Sequence, residues 1–218
     1  MLLELVDNSY YNKLSLVLFT PLFMVFLMCM VDLTRTKLLF KSLFSNPYFY
    51  KYPHDSVSTL SLYQVLVFLY LSVVFALFLM VLLYDNEFIY QHFFEAFIHC
   101  MYLSTGYFFV KYLVSEFLYN LSNKKTYFKQ TFMLETSYLV VWLLMVFLLL
   151  CYVFLHLNSF DISRNYLLII ALIAYFIRFI IIISNNKNLL SGKILYIILY
   201  LCTLEIVPFI YLFKSYTE

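Results

Sequence analysis

The residues best suited to chemistry in this 218-residue chain form two sets. His92, Glu95, His99 and Tyr102 are spaced three, four and three apart. That spacing places them on one face of a helix, descending about 15 Å at about 1.5 Å per residue. His156 stands at the end of a later apolar run. Imidazoles and a carboxylate on one side can bind a metal or carry protons. Two imidazoles can instead ligate a haem between helices. The plainer reading is that polar residues at a helix end bond headgroups and water. Spacing alone assigns no metal and no cofactor.

The second set is Arg178 and Glu205, each the lone charge in an otherwise apolar run. An ionisable group inside a helical bundle usually faces inward and pairs. The short turn Asn185–Lys193 makes these two runs antiparallel neighbours. Counted from that turn, Arg178 lies about 10 Å deep and Glu205 about 16 Å deep. An Arg–carboxylate pair would satisfy both charges and set the register of the two helices. A Glu205–His99 contact is the rival, and a relay or substrate role for Glu205 the functional alternative. Cys29, Cys100, Cys151 and Cys202 stand singly, with no Cys-x-x-Cys spacing, and read as small apolar residues. There is no Gly-rich phosphate loop, no Gly-x-Ser-x-Gly elbow and no His-Glu-x-x-His motif. No residue is assigned a catalytic role.

The elements that must position these residues are set by composition. Hydrophobic residues make up 65% of the chain and charged residues 12%, against about 45–50% and about 25% in soluble domains. Mean hydropathy is +0.90. A soluble globule cannot hide so much apolar surface. A net charge of +2 gives no reason for a nucleic-acid partner. The chain reads as all-α, a polytopic membrane bundle forming a single integral membrane domain over residues 1–218.

A span needs about 20 apolar residues. Six are expected, at about 14–31, 61–84, 93–118, 137–157, 165–184 and 194–213. The third needs an arbiter, because Glu95, Lys111 and Glu116 flank a short uncharged centre. The positive-inside rule supplies one. With six spans, nine Lys and Arg residues lie on one side and Lys13, Arg164 and Lys214 on the other. With five, the split is seven against six. The six-span arrangement carries the bias of real membrane proteins, and it puts both termini on the non-cytoplasmic side.

Between the first two spans, residues 32–45 read as an amphipathic helix in the headgroup plane. Leu33, Leu39, Phe40, Leu43 and Phe44 are assigned to one face, and Arg35, Lys37 and Lys41 to a basic face on anionic lipid. Asn46-Pro47 ends it. The basic segment Leu121–Glu135 reads as an orienting loop, and Asp85-Asn86-Glu87 as a brief turn. Pro21 and Pro208 are the prolines inside spans, where each can kink its helix. Gly106 and Gly192 are the only glycines, which weighs against a transporter built on broken helices.

Tyr200-Leu201-Cys202-Thr203-Leu204-Glu205-Ile206-Val207-Pro208 resembles the C-terminal signature of a Bacteroidota family of multi-pass membrane proteins catalogued as a domain of unknown function. Glu135-Thr136-Ser137-Tyr138 with Trp142 is similar to that family's middle helix, and Arg178 to Lys193 to its basic fifth-helix pattern. The resemblance implies a cell inner-membrane protein of a Gram-negative envelope. It brings no activity and singles out Glu205 and Pro208. The Phe- and Tyr-rich spans also resemble membrane subunits encoded by AT-rich organelle genomes, which implies a respiratory-complex subunit. The leading expectation is a non-enzymatic subunit, assembly factor or scaffold, with the bilayer and a membrane protein or second copy as partners. The alternative is a small proton- or ion-coupled transporter using Glu205, Arg178, Glu95 and His99.

Overall fold

The computed structural model describes residues 2–41, 61–121, 125–155 and 160–185, and they are all-helical. In chain order the helices are α1 (Leu2–Val31), α2 (Leu33–Lys41), α3 (Leu62–Leu83), α4 (Asn86–Gln91), α5 (Phe93–Leu121), α6 (Lys125–Leu155) and α7 (Phe160–Asn185). Three stretches are long and apolar enough to cross a membrane: Lys13–Val31, Leu62–Leu83 and Thr136–Phe154. The apolar part of α7, Asn165–Arg178, is shorter, and α5 is punctuated by Glu95, Lys111 and Glu116. The span expected at 194–213 lies outside the described residues, as do 42–45 of the amphipathic helix.

Two segments read from sequence as connections are helical. Backbone at Lys125 and Lys129 belongs to α6, and Asn86–Gln91 forms its own short helix. No Gly or Pro lies between Gly106 and Gly192, so nothing local stops helices there from running past their apolar cores.

α3 is the axis of the bundle. It packs most extensively on α5 and also on α1 and α6. Every residue from Tyr70 to Val81 is buried. That fits a sequence that is apolar on all sides, which a helix can carry only at the centre of a bundle. A capping box starts it. The Ser61 hydroxyl accepts from the Gln64 amide at 3.3 Å, and the Gln64 side-chain oxygen accepts from the Ser61 amide at 3.2 Å.

Aromatic rings bind the helices together. α3 and α5 run antiparallel, with Phe68 and Phe75 edge-on to Phe108 at 6.3 and 5.6 Å and Phe75 stacked on Tyr107 at 5.5 Å. Phe78 meets Trp142 of α6 at 6.0 Å, and Trp142 meets Tyr175 of α7 at 5.6 Å. Each such pair contributes about 0.5–1.5 kcal/mol beyond its buried area. Two polar fasteners accompany them. Ser104 donates to the Ser72 carbonyl at 2.7 Å, and the Trp142 indole N–H donates to the Ala171 carbonyl at 3.1 Å.

Pro21 is buried inside α1. Its ring nitrogen has no hydrogen for the Val17 carbonyl four residues back. The Thr20 hydroxyl donates to that carbonyl instead, at 2.7 Å.

Candidate functional site

The first chemical set occupies the junction where α3 ends, α4 intervenes and α5 begins. Tyr84 caps the C-terminus of α3. Its ring stacks on Phe88 at 4.8 Å, and Phe88 stacks on His92 at 5.1 Å. His92 Nδ1 meets Glu95 Oε2 at 3.1 Å, with both side chains well exposed. One turn along α5, His99 Nδ1 shares a 2.8 Å hydrogen bond with the Tyr84 hydroxyl. The helical face formed by His92, Glu95 and His99 is thus engaged pairwise, His92 with Glu95 and His99 with Tyr84. Tyr102 is exposed. Among the described residues, no three of His, Cys, Asp and Glu come together in a group that could hold a metal ion. His156 lies outside the described residues.

Arg178 belongs to a different level of the bundle. It is 4% exposed, and its guanidinium carbon stands 5.4 Å from the centre of the Tyr175 ring. Together with Phe75, Tyr107, Phe108, Leu139, Trp142 and Tyr175 it lines a cavity between α3, α5, α6 and α7. The cavity is small, with room for about one water-sized probe, and it is partly open to the surroundings. Phe75 and Tyr84 are nine residues apart on α3, which is about 13 Å along the axis. Arg178 and His99 therefore serve two separate places. Glu205 and Pro208 lie outside the described residues.

The third region is α2. Asp32 starts it: one carboxylate oxygen accepts from the Thr34 hydroxyl at 2.7 Å and from the Arg35 amide at 2.9 Å. Those bonds, with the Arg35 charge, hold the carboxyl below its ordinary value, against a smaller opposing push from burial. Lys37 and Lys41 are exposed. Arg35 differs from them: it is buried with Thr36 and Leu39, its guanidinium 4.5 Å from the centre of the Tyr63 ring on α3. At about 100° per residue, Arg35 and Lys37 stand about 160° apart around the helix. Arg35 and Leu39, four apart, share a face. α2 packs on α1 and α6, and Arg35 carries that face onto Tyr63 of α3, while Leu33 is exposed.

Arg35, Lys111 and Arg178 are the buried charged side chains among the described residues, and all are basic. Burial of Lys111 was not legible from sequence, where it reads as a flanking charge. A signal was present: Ser104, Phe108 and Lys111 recur at helical spacing, and all three are buried against the bundle. Tyr84 and Tyr63 were likewise missed, because their partners come from helices distant in sequence. Cys29, Cys100 and Cys151 are free thiols, and Cys202 lies outside the described residues.

Comparison of the chain with curated proteins and with solved structures found no match. A scan of family models did find one, and it extends across nearly all of the sequence. The chain belongs to the family described as a domain of unknown function, DUF4271, whose model matches residues 14–215.

Proposed function

We propose that this chain is a six-span protein of the cell inner membrane that acts without catalysis, as a subunit, assembly factor or scaffold of a membrane or envelope complex. One observation carries the reading. α7 buries Leu167, Ala171 and Arg178 on one side and leaves Tyr166, Ile169, Ile170, Leu172, Ile173, Phe176, Ile177 and Ile180 exposed on the other. α1 likewise exposes Leu16, Phe19, Leu22, Phe23, Phe26 and Met30. Such faces are stable against lipid tails or another membrane helix and not against water. The three long apolar stretches support the membrane setting. The Lys and Arg distribution supports six spans with both termini on the non-cytoplasmic side. The resemblance of the Tyr200–Pro208 signature supports a Bacteroidota envelope. Anionic lipid at Lys37 and Lys41, and either a heteromeric membrane partner or a second copy, complete the reading.

Purification in a mild detergent tests it. A stoichiometric membrane partner or a stable homo-oligomer supports the proposal, and a lone monomer overturns it.

A second reading, a small proton- or ion-coupled transporter, draws on the burial of Arg178. In that reading Arg178 and Glu205 form the intramembrane relay, while Glu95 and His99 lie about 13 Å away along the bundle and serve as an approach. Proton flux in proteoliposomes that is lost in Glu205→Gln supports it. Absence of flux in the native protein removes it.

A further inference from the structure

We draw no further inference here: the strongest candidate, the exposed isoleucine-rich face of α7 formed by Ile169, Ile173, Phe176 and Ile180, is an unpartnered apolar surface patch, and nothing among the described residues shows what covers it.

Discussion

The Thr20 hydroxyl donates to the Val17 carbonyl at 2.7 Å, the acceptor that Pro21 leaves without a helical amide. An unmet carbonyl inside a membrane has no water to turn to. Thr20→Val keeps the shape and removes the donor, and lowers stability by about 1 kcal/mol. In Pro21→Ala the backbone amide returns, so Thr20→Val costs less on that background. Thermal unfolding of the four proteins of this cycle, in one detergent, checks the sign of the coupling.

Ser104 and Ser72 lie where α3 and α5 cross. The hydrogen bond between them reaches a carbonyl that α3 already uses, so its loss is mild. Ser104→Ala costs about 0.6 kcal/mol, the average for such bonds between membrane helices. Ser104→Leu costs more, about 1–3 kcal/mol, because the site is fully buried and has no room for the added carbons. Equal effects of the two substitutions in a denaturation series would contradict a packing-limited crossing.

Arg35 and its two basic neighbours on α2 are expected to separate by readout. Arg35→Ala removes the cation over the Tyr63 ring and loosens α2, lowering the melting temperature. Lys37→Ala and Lys41→Ala leave the melting temperature nearly unchanged, since exposed substitutions stay within about 0.5 kcal/mol. They weaken retention of anionic lipid instead, by about 1 kcal/mol per charge near the surface. Native mass spectrometry of the intact protein with phosphatidylglycerol measures that retention.

Asp32 gives α2 a pH dependence. Its folded carboxyl titrates below the ordinary value of 3.8, because the ionised form accepts two bonds. The cap therefore contributes fully above that ordinary value and is lost as pH falls through the lower, folded one. Protection of the Thr34, Arg35 and Thr36 amides, taken as exchange relative to the intrinsic rate at each pH, should fall on acidification through this range. Asp32→Asn keeps an acceptor oxygen, and the acid-dependent step should disappear.

What could be read in advance follows physical lines. α3 was legible because an uncharged run of that length has one stable setting. Arg178 was legible as a buried cation because nothing apolar around it offers another explanation. The places of Arg35, Lys111 and Tyr84 were not. Grouping Arg35 with Lys37 and Lys41 by charge ignored the angle between them, and the angle decided which face went inward. The Tyr84–His99 bond depends on the antiparallel register of α3 and α5, which no local pattern encodes. The ring-lined cavity needs four helices at once, and single-helix periodicity is silent about it. Helix ends were the least legible: α1, α5 and α6 run beyond their apolar cores because no Gly or Pro intervenes at those boundaries.

The seat of Arg35 on Tyr63 makes α2 a brace: the helix packs on α1 and α6 and sets its guanidinium over a ring of α3, so a single side chain holds a joint that four helices share.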